Sequence, residues 1–199
     1  MLLPHFSALG AGPLVLMLHG AAGGFRSFAP QVERYAWEGF RAVAWDMPGY
    51  GLSTPVEPFG VRGLAQSCIQ LIEALLPPEA QGPARSVALI GHGLGGMVAQ
   101  EVVMRRPDLI HRLVLPLQAQ AGFDRDAALS HIHVPTLLLA GEYDRRASGP
   151  VIERMAGKIQ GSRWVQMPGV GHWLQLEAPD AFDALVLDFL REPVSWRLH

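Results

Sequence analysis

Short apolar runs alternate along this chain with longer segments of helical periodicity. Leu14–Leu18, Val87–Ile90 and Thr136–Ala140 are continuous apolar or near-apolar runs bounded by turn-forming or polar residues, a pattern typical of strands buried on both faces of a parallel sheet. Between such runs, apolar residues recur every three to four positions, as in helices that cover a sheet. The pattern predicts βα units on one mostly parallel sheet.

The periodicity predicts six strands and five helices. The strands are Leu14–Leu18, Arg41–Trp45, Val87–Ile90, Leu113–Leu115, Thr136–Ala140 and Arg163–Gln166. The helices are Phe28–Glu38, Val61–Leu76, Leu94–Arg106, Gly149–Ile159 and Pro179–Leu190. The last helix has the clearest pattern, because a proline suits its first turn and its apolar residues form one stripe.

Composition indicates one globular domain. A chain of 199 residues has the length of a single domain, which we expect to span residues 1–199. Hydrophobic residues make up 49 % and charged residues 17 %, with a net charge of −2, so neither disorder nor a nucleic-acid-binding surface is expected. The expected partner is a small molecule.

The sequence shows neither a targeting signal nor a pattern of reactive cysteines. No apolar run reaches the roughly 18 residues that span a bilayer, and the first residues lack the basic region of a signal peptide. We therefore expect no membrane association and a cytoplasmic location. Cys68 is the sole cysteine and lies in an apolar helical pattern, so it is predicted to be a small core residue.

The segment 91–95 reads Gly-His-Gly-Leu-Gly and joins a predicted strand directly to a predicted helix. Serine hydrolases place their nucleophile at such a strand-to-helix turn, called the nucleophile elbow, in the pattern Gly-x-Ser-x-Gly. Here the central position is Gly93. The small residues at 91, 95 and 96 would let the helix pack closely against the strand.

Other segments supply the remaining groups that acyl transfer requires, namely oxyanion donors, a histidine base and an orienting acid. The loop 19–24 (His-Gly-Ala-Ala-Gly-Gly) follows the first predicted strand, and we nominate the backbone N–H groups of Ala21 and Leu94 as the oxyanion hole. Asp144 and His172 each follow a strand, which places them at the carboxyl edge of the sheet. His172 is therefore the candidate base and Asp144 its orienting acid.

Taken in this order, the segments resemble the α/β-hydrolase superfamily, especially its bacterial esterases, enol-lactonases and C–C hydrolases. The resemblance covers residues 10–190 and rests on the loop 19–24, the turn 46–51, the elbow 91–96, the segment 134–144 and the Gly171-His172 pair. It implies cleavage of a carboxylic ester, a lactone or a C–C bond, with no metal or organic cofactor.

Three departures from that family follow. Gly93 stands where the family has serine, or less often cysteine or aspartate. Residues 116–131 form only a short connector where the family usually inserts a cap domain, so we expect the cap to be absent. Without a cap, the apolar surface at the carboxyl edge of the sheet would be uncovered, and we expect a homodimer to form through it. Few residues precede His19, so we expect residues 2–8 to supply only the second of the family's eight strands.

Glycine at position 93 leads to the main functional prediction. It adopts the positive φ of such an elbow without the penalty that a Cβ atom brings, whereas loss of a triad serine lowers turnover on the order of 10⁶-fold. The sequence therefore predicts a disabled hydrolase, whether engineered or natural. Two alternatives stay open: a non-catalytic protein that binds a ligand or partner, and slow hydrolysis by a water that His172 activates in the vacated volume.

Three segments contain motifs with more than one interpretation. Gly91, Gly93 and Gly96 also match a dinucleotide-binding fingerprint, but the next predicted strand ends Val-Leu-Pro and lacks the acid that would hold a ribose. The pair at positions 131 and 133 reads His-x-His, but no further ligand lies at helical spacing to complete a metal site. Asp46 lies in a turn-forming segment, and we favour a structural role for it over a catalytic one.

Overall fold

A computed structural model describes residues 2–79, 85–116, 129–145 and 149–193. Within these residues, seven strands form one sheet. They are β1 (Phe6–Leu9), β2 (Leu14–Leu18), β3 (Arg41–Trp45), β4 (Val87–Gly91), β5 (Ile110–Pro116), β6 (Thr136–Gly141) and β7 (Arg163–Met167). The α-helices are α1 (Ala29–Trp37), α2 (Val61–Leu75), α3 (Leu94–Arg105), α4 (Gly149–Lys158), α5 (Leu174–Glu177) and α6 (Pro179–Arg191).

The sheet is parallel except at one edge. β1 pairs antiparallel with β3, with Phe6 opposite Trp45, whereas the pairings among β2 to β7 are all parallel. The predicted fold class, a mostly parallel sheet flanked by helices, is confirmed. β1 itself falls largely within residues 2–8, which we expected to supply a strand.

Helices cover both faces of the sheet, because the strands are apolar on both faces. Along β2, Leu16 and Leu18 belong to the core that α2 and α3 complete, whereas Val15 and Met17 belong to the core that α1 and α6 complete. All four side chains are fully buried. This explains why the strands read as continuous apolar runs rather than alternating ones.

The strand order, β1-β3-β2-β4-β5-β6-β7, reverses direction between β2 and β4. The chain moves from β2 to β3 on one side and then returns to place β4 on the other side of β2. Connections that leave neighbouring strands in opposite directions open a crevice at the carboxyl edge, where α/β sheets bind ligands. Leu18 pairs with Gly91 at this point, so the loops that follow β2 and β4 lie side by side.

The predicted element bounds agree with the structure to within one residue, except at β5. That strand begins at Ile110 rather than at Leu113, and residues 107–109 before it form a short 3₁₀ turn. Of the predicted connector 116–131, residues 117–128 lie outside the described residues. Among the helices that the structure describes, none is long and apolar enough to cross a membrane.

Candidate active site

The turn between β4 and α3 holds Gly93 in a backbone conformation that favours glycine. Its φ is +56° and its ψ is −119°, in the left-handed half of φ space that a Cβ atom penalises. The carbonyl oxygen of Gly93 accepts hydrogen bonds from the N–H groups of Gly96 at 2.9 Å and Met97 at 3.2 Å. Gly93 therefore caps α3 and stands at the point where the chain reverses.

Close packing at this elbow requires three further glycines. A Cβ atom on Gly91 would lie 2.5 Å from the carbonyl oxygen of Gly95, and one on Gly96 would lie 2.7 Å from the carbonyl oxygen of Gly91. A Cβ atom on Gly95 would collide with the carbonyl oxygen of Leu18 and lie 2.7 Å from that of His19. The small residues thus let the N-terminus of α3 approach both β4 and the end of β2.

His172 and Asp144 form a hydrogen-bonded pair at the same edge of the sheet. The Nδ1–H of His172 donates to Oδ2 of Asp144 at 2.9 Å. The Asp144 side chain is 3 % exposed and that of His172 is 20 % exposed. A buried carboxylate on Nδ1 orients the ring and leaves Nε2 as the available basic nitrogen.

The loops that carry this pair interlock. The N–H groups of Glu142 and Tyr143 donate to the carbonyl oxygens of Met167 and Val170, each at 2.9 Å. The Cα of Gly141 approaches the next loop so closely that a Cβ atom there would collide with the carbonyl oxygen of Gly171. The acid and the candidate base are therefore positioned by one compact unit of two loops.

The predicted oxyanion residues lie in the two chain segments that follow β2 and β4. Leu94 is the first residue of α3, and Ala21 is exposed in the loop after β2. That loop lies against the elbow, because a Cβ atom on Gly20 would be 3.1 Å from Nδ1 of His92. Among the described residues, neither the Ala21 nor the Leu94 backbone N–H donates a hydrogen bond to another main-chain oxygen outside its own element, as an oxyanion hole requires.

His19 ties this loop to the next one along the sheet. Its Nδ1–H donates to the carbonyl oxygen of Gly20 at 2.8 Å, and its Nε2 accepts from the N–H of Met47 at 2.9 Å. Burial lowers the pKa of His19, which keeps the ring neutral and Nε2 free to accept. His19 has both ring nitrogens engaged in holding loops.

Asp46 is likewise engaged in structural hydrogen bonds. Its carboxylate accepts from the N–H of Phe25 at 3.0 Å and from Nδ1 of His5 at 2.9 Å. Its backbone carbonyl accepts from the hydroxyl of Ser53 at 2.6 Å. Burial opposes the charge, but the hydrogen bonds to the carboxylate outweigh it and hold the pKa of Asp46 below its ordinary value. The favoured structural role agrees with this geometry.

His92 has a contact that sequence reasoning missed. It is buried, and its ring lies 5.0 Å from the ring of His172 and 4.8 Å from that of Trp173. Its Nε2–H donates to the carbonyl oxygen of His172 at 3.2 Å. Burial lowers the pKa of His92 to about 4, so the ring is neutral near pH 7.

Glu177, at the end of α5, was also missed. One carboxylate oxygen accepts from the N–H of Gly171 at 2.7 Å and the other from the N–H of Trp173 at 2.8 Å. These two amides flank His172. The only signal in the sequence is the position of Glu177, five residues after the candidate base and two before the proline that starts α6.

The described residues contain no group of three side chains arranged to hold a metal ion. His131 and His133 are exposed on the approach to β6. Of the predicted site residues, the structure brings His172 and Asp144 into contact, and His92, which precedes the elbow residue Gly93, hydrogen-bonds to the carbonyl oxygen of His172.

Two family models match the chain. The model described as "Serine aminopeptidase, S33" matches residues 11–116, which is more than half of the chain, and the model described as "Alpha/beta hydrolase family" matches residues 106–185. Together they span the elbow, the acid and the candidate base.

Individual proteins are also similar to this chain. The mouse protein named serine hydrolase BPHL is 26 % identical over 94 % of this chain and 82 % of its own length. That alignment runs over 247 residues, whereas this chain has 199, so the mouse protein carries residues with no counterpart here. The putative carbamate hydrolase RutD of Agrobacterium fabrum is 30 % identical over 56 % of this chain and 42 % of its own length.

Solved structures share the fold. A thermophilic esterase from Thermogutta terrifontis superposes with a TM-score of 0.84 at 20 % identity, covering 96 % of this chain and 94 % of that one. The enol-lactonase from Burkholderia xenovorans LB400 superposes with a TM-score of 0.82 at 19 % identity, covering 94 % of this chain and 96 % of that one. Because the two family models together match residues 11–185 and the solved structures share the fold, the chain belongs to the α/β-hydrolase superfamily.

Proposed function

We propose that this chain is a hydrolase scaffold of the serine type that lacks its nucleophile, with the rest of the acyl-transfer machinery in place. The proposal rests on one observation, that the hydrogen-bonded base and acid are present whereas the nucleophile position has no side chain. The His172–Asp144 pair is intact at 2.9 Å, whereas the elbow residue, Gly93, has the strained backbone geometry of a nucleophile position but no reactive group.

The chemistry follows for a chain that carries serine at position 93. The hydroxyl would attack the carbonyl carbon of an ester or lactone while Nε2 of His172 takes its proton. Asp144 would hold the ring and stabilise the imidazolium, and the N–H groups of Ala21 and Leu94 would bind the oxyanion. His172 would then protonate the leaving alkoxide, and a water activated by the same nitrogen would release the acid.

The chain as it stands cannot form the acyl-enzyme, because glycine has no hydroxyl. Loss of a triad serine removes on the order of 10⁶ of turnover and leaves about 10³ to 10⁴ over water from the oxyanion hole and binding. We therefore expect activity on carboxylic esters to be very weak. Any such activity would depend on a water that His172 activates directly.

The test is to introduce Gly93→Ser and measure hydrolysis of short-chain p-nitrophenyl esters. We expect turnover to rise by several orders of magnitude over the parent chain. His172→Ala in the Gly93→Ser background is the control, and it should return the activity to the parental level because the serine loses its base.

Two other outcomes are informative. A folded Gly93→Ser variant with no gain on esters, lactones or C–C substrates would refute the proposal and favour a non-catalytic protein that binds a ligand or partner. Hydrolysis by the parent chain that disappears in the single variant His172→Ala would instead establish the route through an activated water.

The carboxyl edge also supports the expected homodimer. Leu52, Tyr143 and Leu176 follow β3, β6 and β7 and are 80 %, 67 % and 47 % exposed. Exposed apolar side chains of this kind favour self-association. A mass of one chain by light scattering at high concentration would refute the dimer.

A further inference from the structure

The main chain on either side of His172 is held by side chains rather than by regular secondary structure. β7 ends at Met167 and α5 begins at Leu174, so the candidate base lies on a loop without ladder or helix bonds of its own. The hydrogen bond from Nδ1 to Asp144 fixes the rotation of the ring. It does not by itself fix the backbone from which the ring projects.

Glu177 supplies two of the missing restraints. Its carboxylate binds the N–H groups immediately before and after His172, at Gly171 and Trp173, one on each oxygen. Hydrogen bonds to a charged acceptor are about twice as strong as neutral ones. Gly171 permits this approach, since a Cβ atom there would lie 3.0 Å from the carboxylate.

His92 supplies the third restraint and links it to the elbow. Its Nε2–H binds the carbonyl oxygen of His172 at 3.2 Å, and its ring packs against the rings of His172 and Trp173. His92 directly precedes Gly93. The base is therefore tied to the residue next to the nucleophile position.

We propose that Glu177 and His92 are positioning residues, which together hold the backbone of His172 so that its Nε2 stands at the correct distance from position 93. This inference rests on the proposed function, since it concerns how the base meets a nucleophile there. Both side chains hydrogen-bond to the main chain around His172 rather than to the nitrogen that would take the proton. A displacement of about 1 Å in a catalytic group can lower turnover about 10²-fold.

A purely structural role for Glu177 makes a different prediction. Its own N–H also binds the carbonyl oxygen of Trp173 at 2.8 Å, so the residue contributes to the first turn of α5. If that were its whole function, its loss would lower stability and leave the His172–Asp144 pair unchanged.

The experiment compares Glu177→Ala with Glu142→Ala, both in the Gly93→Ser background. Glu142 is a matched control, because its carboxylate also accepts a backbone N–H of the same loop, that of Gly169 at 2.8 Å, but does not touch the residues beside His172. We expect Glu177→Ala to lower kcat about 10²-fold with KM unchanged, and Glu142→Ala to change neither. Glu177→Gln, which keeps one carbonyl acceptor, should recover part of the loss.

A second readout uses the chain with glycine at position 93 and does not depend on activity. The proton between Nδ1 of His172 and Asp144 should give a low-field NMR resonance that His172→Ala removes. Glu177→Ala and His92→Phe should shift or broaden it, and Glu142→Ala should not. If the Gly93→Ser protein is inactive but the resonance responds to the variants in this way, the proposed function is refuted and the positioning role is retained. An unchanged resonance in Glu177→Ala would overturn the positioning role.

Discussion

Replacing Gly93 by alanine tests the backbone argument at the elbow without adding a reactive group. Alanine at φ +56° and ψ −119° would place a Cβ atom in a conformation that costs about 1 to 3 kcal/mol. The lower entropy of the unfolded alanine chain offsets about 0.4 to 1 kcal/mol of that. We expect a net loss of about 1 to 2 kcal/mol, or a Tm lower by roughly 2 to 8 °C for a domain of this size.

The assay is urea unfolding and thermal melting followed by circular dichroism, with Gly157→Ala as the control. Gly157 lies inside α4, and a Cβ atom there would meet nothing within 4 Å. Alanine should therefore stabilise that helix by up to about 1 kcal/mol. The two glycine-to-alanine changes should thus move the free energy of unfolding in opposite directions.

A Gly93→Ala protein as stable as the parent would refute this reasoning. It would mean that the elbow relaxes to negative φ when it carries a side chain, and position 93 would not then present a serine hydroxyl to His172. In that case the gain expected for Gly93→Ser would also have no structural basis.

Three further predictions concern the rest of the fold. Gly95→Ala should lower the free energy of unfolding by about 3 kcal/mol or more in urea titration, because its Cβ atom would collide with the carbonyl oxygen of Leu18; a near-parental midpoint would contradict this packing. Since hydrogen bonds outweigh burial and lower the pKa of Asp46, its carboxylate stabilises the fold at neutral pH, and that contribution is lost as the pH falls below about 4, through the lowered pKa. Urea unfolding between pH 7 and 3 should therefore show a flatter acid limb for Asp46→Asn than for the parent, and parallel limbs would refute the assignment. Burial raises the pKa of the Cys68 thiol, so a thiol reagent should modify it only after unfolding, and rapid labelling of the native protein would contradict the placement of Cys68 in the core.

Most of the fold could be predicted from the sequence, because the strands are apolar on both faces of the sheet and each helix is apolar along one face. Apolar runs such as Leu14–Leu18 and stripes such as that of α6 require no tertiary information to recognise. β1 does not stand out in this way, since it is four residues long and half of it is exposed. The short helix α5 was missed because four residues are too few to show a period.

The sequence could predict the location of those site residues that directly follow a strand. Asp144 and His172 follow neighbouring strands, and the sequence placed both at the carboxyl edge before any distance was known. Glu177 and His92 could not be assigned in the same way, because their importance depends on three hydrogen bonds from their side chains to the main chain around His172. The pattern of apolar and polar residues does not show which main-chain groups a side chain binds.

The interlocked loops after β6 and β7 affect how this protein could be recombined with its relatives. The Cα of Gly141 lies so close to the loop after β7 that a Cβ atom there would collide with the carbonyl oxygen of Gly171, and the N–H of Tyr143 donates to the carbonyl oxygen of Val170 across the same boundary. A chimera with its crossover between these loops would join two surfaces that were not selected to fit. Exchanges that take residues 136–177 from one parent should keep the acid, the base and Glu177 together, whereas crossovers inside that stretch should yield poorly folded proteins.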